Sequence, residues 1–196
     1  MQNLQFPLDF KFKILTPSND FSVFDARGQE VAYTRQKIFK LKEGVEIFQN
    51  ASRKQRLYQI NADRLLDFNA NYRITDESGQ LLGSVRRKGM RSLWRTHYQV
   101  YDAQGQFLYD IRETNPWITV ADGLVGEVPV LGWLTGYFLN PSYSITDAEG
   151  QEAYLLKKTP SFMERRFSLE KRSQAPHDEL VTLSTMMLML LERSDG

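Results

Sequence analysis

A period of two in the apolar residues runs through much of this chain. Between residues 6 and 14 an apolar side chain stands at every second position, and the pairs Tyr72/Ile74 and Tyr98/Val100 repeat the pattern. Because successive side chains of a strand point to opposite faces of a sheet, this period predicts strands with one buried face.

A five-residue motif, Asp-x-x-Gly-Gln, separates four pairs of these strand-like stretches. It stands at 25–29, 76–80, 102–106 and 147–151. Its aspartate can accept a hydrogen bond from the amide two residues on, and its glycine can adopt the positive φ that closes a short loop. The motif therefore predicts four hairpin turns. A calcium loop is the alternative, but an EF-hand needs further carboxylates and a closing glutamate, which these segments lack.

Other segments extend the strand pattern. Residues 38–48 predict two strands around Glu43 and Gly44, and residues 56–62 and 164–171 predict one strand each. About a dozen short strands at this spacing are typical of an antiparallel sandwich or barrel.

The C-terminal segment differs, because residues 178–192 predict a helix. Apolar side chains from Leu180 to Leu191 cover its whole circumference, so the helix must be buried on all sides. At ~1.5 Å per residue it is too short for a hydrocarbon layer of about 30 Å. The predicted fold is therefore mainly β, a closed antiparallel barrel of about twelve strands around a buried C-terminal helix.

Composition limits the class of protein. Hydrophobic residues make up 41% and charged residues 25% of the 196 residues, which suits one soluble domain over 1–196. The net charge is +1, and the absence of cysteine excludes disulfides and thiolate ligands. The first residues lack the pattern of a signal peptide. A cytoplasmic location is expected.

A barrel threaded by its own helix resembles the LURP-one-related proteins, with their relatives the tubby C-terminal domain and the phospholipid scramblases. The resemblance is carried by "VFDARGQEVAYTRQKIFKLKEG", "YRITDESGQLLGSVRRK", "YQVYDAQGQFLYDIRE" and "LVTLSTMMLMLLE". It implies a twelve-stranded barrel around a central helix. Scrambling is not expected, because the Pro-rich tail, the palmitoylated cysteines and the acidic calcium loop tied to it are absent.

Catalytic chemistry is not predicted. The two histidines, His97 and His177, are far apart in the sequence, and neither a Gly-x-Ser-x-Gly motif nor a phosphate-binding Gly-rich loop is present. The carboxylates are scattered, and many belong to the predicted turns. We therefore expect neither an enzyme nor a bound metal or cofactor.

A basic cluster in "RRKGMRSLWR" is the first candidate site. Its five cations could hold a phosphate-rich head group or an anionic lipid surface. The alternative is that charges at strand ends serve solubility and edge protection. The candidate residues are Arg86, Arg87, Lys88, Arg91 and Arg95.

The second candidate is the apolar segment 115–143, which follows neither a strand nor a helix period. It is expected to cap one mouth of the barrel; alternatively, it is an exposed patch that grips a lipid chain or a protein partner. Its candidate contact residues are Trp117, Trp133, Tyr137 and Phe138.

Three functions remain open from these features. The first is a non-enzymatic module that binds anionic phospholipid or phosphoinositide head groups and lies peripherally at the membrane. Tubby domains bind phosphoinositides through basic residues of one hairpin, but the basic cluster here is assigned on charge alone. The second is a protein-interaction module using segment 115–143. The third, nucleic-acid binding, is disfavoured by the near-neutral net charge.

Overall fold

The computed structural model describes residues 1, 3–12, 18–37, 44–63, 70–88, 97–114, 142–159 and 165–194. The strand predicted at the start of the 38–48 segment lies outside these residues, whereas its second half is a strand from Val45.

The described residues form twelve antiparallel strands that close into a barrel, which confirms the predicted architecture. Each strand pairs with its neighbours in the sequence, and the first pairs with the last. In chain order the strands are β1 (Leu8–Phe12), β2 (Ser18–Phe24), β3 (Glu30–Lys37), β4 (Val45–Phe48), β5 (Arg56–Ala62), β6 (Asn71–Asp76), β7 (Leu81–Arg87), β8 (His97–Asp102), β9 (Phe107–Thr114), β10 (Ser142–Asp147), β11 (Glu152–Thr159) and β12 (Arg165–Lys171).

The four Asp-x-x-Gly-Gln motifs form hairpin turns, as predicted. In the turn after β6, the Asp76 carboxylate accepts hydrogen bonds from the amides of Ser78 and Gln80, each at 2.9 Å, and Gly79 adopts φ +85°. The other three turns repeat the arrangement with the same offsets. The hydroxyl and amide hydrogen bonds outweigh partial burial and hold the pKa of Asp76 below its ordinary value.

The turns define the two ends of the barrel. We call the end that carries the turns 25–29, 76–80, 102–106 and 147–151 the turn end. Because the strands alternate in direction, the connections 88–96 and 115–141 both join strands at the opposite end, which we call the far end. The two candidate segments of the sequence therefore begin and finish at the same end of the barrel.

The helix α1 (Asp178–Ser194) fills the barrel. All residues from Leu180 to Leu191 are at most 5% exposed, and the inward residues of the strands are buried as well. Burial on every side of a helix is possible only where the strands surround it. The prediction of a buried C-terminal helix is confirmed. The helix runs from the turn end towards the far end.

Three polar residues inside the barrel find partners within the helix itself. The hydroxyls of Thr182, Ser184 and Thr185 each donate a hydrogen bond to the carbonyl four residues earlier, at 2.7 to 2.9 Å. These bonds satisfy the polar interruptions of the apolar surface, so the hydroxyls can be buried without a large penalty.

A set of tyrosine hydroxyls anchors the start of α1 at the turn end. Tyr154 donates to Asp178 at 2.6 Å, Tyr109 donates to the carbonyl of Pro176 at 2.6 Å, and Tyr58 donates to Glu179. Burial, and next the Asp178 charge, raises the pKa of Tyr109 to about 12, so this hydroxyl stays protonated at neutral pH. Acids in the first turn also complement the helix dipole.

Within the described ranges, no helix is long and apolar enough to cross a membrane.

Candidate anion-binding surface

The structure locates three of the five cations of the predicted basic cluster. Arg86 and Arg87 end strand β7, and Lys88 follows it at the far end. Arg91 and Arg95 lie outside the described residues. The same holds for the predicted contact residues of the second segment, Trp117, Trp133, Tyr137 and Phe138.

The strand geometry divides the three cations between two faces. Val85 is fully buried in the barrel, so Arg87, two residues on, belongs to the inward side of the strand and is half-buried. Arg86 and Lys88 are exposed and belong to the outward side. A run of adjacent charges in the sequence therefore does not become one patch on the surface.

Arg86 is held by neighbours on both adjoining strands. Its guanidinium carbon lies 4.3 Å from the centre of the Tyr101 ring on β8, and its Nε donates a long hydrogen bond of 3.4 Å to Asn71 Oδ1 on β6. The Tyr101 hydroxyl donates to Gln99 Oε1 at 2.7 Å, and the ring meets the Phe107 ring edge-on with centroids 5.9 Å apart. Tyr101 is thus held by Gln99 and Phe107, and its ring restricts the guanidinium of Arg86 that lies over it.

A further arginine joins Arg86 from the neighbouring strand. Arg73 of β6 lies opposite Ser84, and Asn71 lies opposite Arg86, so Arg73 and Arg86 are diagonal neighbours. Diagonal positions on adjacent strands are about 7–8 Å apart, within reach of long side chains. Arg73 is exposed. Sequence reasoning missed it because it stands alone in "YRIT", although its period-two position relative to Tyr72 and Ile74 already assigned it to the outer face.

An ion-pair cluster on β8 and β9 completes the surface. His97 Nε2 lies 2.6 Å from Asp110 Oδ1, and the Arg112 Nε donates to Asp110 Oδ2 at 2.8 Å. Burial alone would raise the pKa of Asp110, but the hydrogen bonds and charges of His97 and then Arg112 lower it below its ordinary value. The Asp110 side chain is 10% exposed while that of Arg112 is 66% exposed, so the acid is covered and the cation faces solvent.

The described contact of the His97 ring is with the Asp110 carboxylate. In the pairing of β8 with β9, His97 lies opposite Arg112. Within the described part of the chain no hydroxyl group hydrogen-bonds to the His97 ring. A nucleophile beside the base, which hydrolytic catalysis by a histidine requires, is therefore not placed there by these residues.

We call the outer surface of β6–β9 towards the far end the cationic face. It carries Arg73, Arg86, Lys88 and Arg112 with the half-exposed His97. Among the described outward positions of these four strands Asp110 is the one acid, and it is engaged by two partners. Since the whole chain carries a net charge of only +1, this face is more positive than the chain as a whole.

A cleft lies at the turn end of the barrel. It is an open cleft of about 430 Å³ between the start of β9, the turn after β10 and the segment leading into α1. Its lining includes Asp147, Glu149 and His177 but no lysine or arginine. Among the described residues no group of histidine and acidic side chains is arranged to hold a metal ion.

The fold and this surface define a class of protein, a closed twelve-stranded barrel filled by its own C-terminal helix. The family model described as LURP-one-related matches residues 31–113 of the chain, which confirms the family resemblance predicted from the sequence. The matched range covers β3 to β9 and so includes every residue of the cationic face. No curated protein and no solved structure matches the chain significantly.

Proposed function

We propose that this chain is a non-enzymatic binding module that docks on anionic phospholipid head groups, phosphoinositides among them, through its cationic face. The protein is cytoplasmic in this proposal and lies peripherally at the membrane. Arg73, Arg86, Lys88 and Arg112 supply the attraction, and Arg87, Arg91 and Arg95 of the predicted basic cluster add to it.

One observation carries the proposal: four cations stand on the outer surface formed by β6 to β9, and the single described acid among them is nearly buried and paired. Charges placed only for solubility would be mixed in sign. A one-signed surface instead attracts an opposite charge.

The expected strength follows from the number of cations. Each lysine or arginine close to an anionic leaflet contributes about 1 kcal/mol, and the attraction decays within a Debye length of about 8 Å at physiological salt. Four to six such residues suffice for reversible binding that weakens steeply as salt is raised.

The absence of catalysis is part of the same proposal. The LURP-one-related match supports it, since the resemblance implies a binding module of the tubby-like kind. The arrangement around His97 supports it too, because the ring is used to cover a buried carboxylate.

The test is flotation with vesicles of phosphatidylcholine containing increasing fractions of phosphatidylserine or a phosphoinositide. Wild-type protein is expected to float with the anionic vesicles only, and less as salt increases. The double variant Arg86→Glu with Lys88→Glu is expected to reduce binding at least tenfold, since it replaces two attractive charges by two repulsive ones. The matched control, Arg53→Glu with Lys54→Glu, makes the same charge change on exposed residues at the turn end and should leave binding unchanged.

Two outcomes would contradict the proposal. Equal loss in both double variants would reveal attraction by total charge rather than by this face. No flotation at any lipid composition would favour the alternatives. A purified protein partner released by Trp133→Ala would then support the interaction module, and a salt-steep DNA shift would support nucleic-acid binding.

A further inference from the structure

The orientation of Arg86 points beyond simple charge attraction. A guanidinium has five N–H donors in a planar fork that matches two oxygens of one phosphate, whereas a lysine ammonium acts as a point charge. The fork is useful only if its plane is held, because a long free side chain loses conformational entropy when it binds.

Two neighbouring residues restrict the guanidinium of Arg86 in the structure. The Tyr101 ring supports the flat face of the guanidinium, and Asn71 accepts the hydrogen bond of Nε. The two terminal nitrogens of Arg86 make no hydrogen bond or ion pair with the described part of the chain, and the side chain is exposed. The pair of donors that would grip a phosphate is therefore not used by any described residue.

Arg73 offers a contrast on the same face. It is equally exposed and is a diagonal neighbour of Arg86, but within the described residues no aromatic ring stacks on it. The two arginines carry the same charge and differ in their described contacts, so they separate an effect of geometry from an effect of charge.

We infer that Arg86 is a preoriented fork for a single phosphate group with terminal oxygens, and that Tyr101 is its positioning residue. This inference rests on the proposed function and names the chemistry that the site prefers, which is a phosphate monoester over a phosphate diester. A diester offers the fork two terminal oxygens with one negative charge, whereas a monoester has three terminal oxygens and about −1.5 to −2 charges at neutral pH, so the same two hydrogen bonds to it are stronger. The remaining cations of the face act as unspecific attraction.

The experiment compares two kinds of vesicle at matched surface charge, one containing phosphatidic acid, a phosphate monoester, and one containing phosphatidylserine, a diester. Wild-type protein should prefer phosphatidic acid. Arg86→Lys keeps the charge and is expected to lower affinity for phosphatidic acid about tenfold, the loss of a charge-assisted hydrogen bond, with little change on phosphatidylserine. The control Arg73→Lys should change neither.

The role of Tyr101 is tested by a matched pair. Tyr101→Phe keeps the ring and should keep the preference for phosphatidic acid, whereas Tyr101→Leu removes the stacking surface and should lose the preference as Arg86→Lys does. The double variant of Tyr101→Leu and Arg86→Lys should lose no more than either alone, because both remove the same oriented fork. Inorganic phosphate as a competitor separates a lipid site from a site for soluble phosphate. Displacement of the protein from phosphatidic acid by millimolar phosphate would identify a site for soluble phosphate, to which membrane contact adds little. Retention of the protein on the vesicles would identify a site that needs the lipid surface.

The outcomes separate this inference from the proposed function. If Arg86→Lys binds both vesicles as wild type does while the glutamate double variant binds neither, the fork is wrong and the cationic face stands. If the glutamate double variant also binds as wild type does, the proposed function itself fails. Thermal unfolding midpoints of the variants report whether any loss comes from unfolding.

Discussion

At the scale of single residues, a few carboxylates stabilise the turns and the cationic face of this barrel. The turn aspartates each accept two amide hydrogen bonds, and Asp110 joins His97 to Arg112 on the cationic face. Hydrogen bonds to an ionised acceptor stabilise more than neutral ones, so these carboxylates stabilise the fold in their charged form.

Asp110 gives a prediction on pH. Its pKa is lowered in the folded protein, so its contribution is complete above the ordinary aspartate value of about 3.9 and disappears as pH falls through the lowered pKa. Asp110→Asn should lower the free energy of unfolding by about 2 kcal/mol at neutral pH, since it weakens two charged hydrogen bonds. The difference from wild type should shrink as the pH drops below that ordinary value.

Urea unfolding at a series of pH values measures this effect. The control Glu77→Gln neutralises an exposed carboxylate and should have little effect at any pH. A difference between wild type and Asp110→Asn that stayed constant down to low pH would mean that the Asp110 charge does not contribute.

Some of these residue contacts could be predicted from the sequence. The four hairpin turns could be predicted because one motif determines both the hydrogen bonds of the aspartate and the positive φ of the glycine. The position of His97 opposite Arg112 could not be counted from the Asp102 turn, since the register of β8 on β9 shifts between Val100 and Tyr101. The sequence predicted a basic cluster only where cations follow one another along the chain, whereas a sheet brings cations together across neighbouring strands.

At the scale of elements, strand β7 of the barrel wall packs closely against α1. Gly83 of β7 faces Leu180 at the start of the helix. A Cβ at this position would collide with the carbonyl oxygen of Tyr101 and would stand 2.8 Å from Leu180 Cδ2. The wall approaches the helix here because no side chain intervenes.

This contact predicts a contrast between two glycines of the same hairpin. Gly83→Ala forces wall and helix apart and should destabilise the protein by about 3 kcal/mol. Gly79→Ala, in the turn, meets open space but requires a positive φ, so it should cost about 1 kcal/mol. Chemical denaturation of both variants measures the difference, and equal losses would contradict a helix packed against β7.

The helix itself was predictable because apolar residues on its whole circumference leave only a buried location. The stacking of Arg86 on Tyr101 was not predictable. It depends on the register of β7 on β8, and the connection 88–96 between them carries no turn motif that would set that register. The register also shifts within the neighbouring pairs β6–β7 and β8–β9.

At the scale of the whole molecule, the barrel separates two surfaces of different charge. The cationic face lies towards the far end, while the open cleft lined by Asp147 and Glu149 lies at the turn end. In the proposed function, an anionic membrane approaches the barrel from the side of the cationic face. Net charge and composition concealed this polarity, because they sum over a closed surface whose regions differ.

The orientation of the protein on a membrane tests this account most directly. The chain has no cysteine, so one introduced thiol can carry an environment-sensitive fluorophore without further changes. Thr114→Cys places the label on an exposed residue at the far end, on the same side of β9 as Arg112, and Lys54→Cys places it on an exposed residue at the turn end. On adding anionic vesicles, the emission of the Thr114 label should shift to the blue and become protected from aqueous quenchers, while the Lys54 label stays unchanged. Equal shifts at both positions, or a shift at Lys54 alone, would contradict docking through the cationic face.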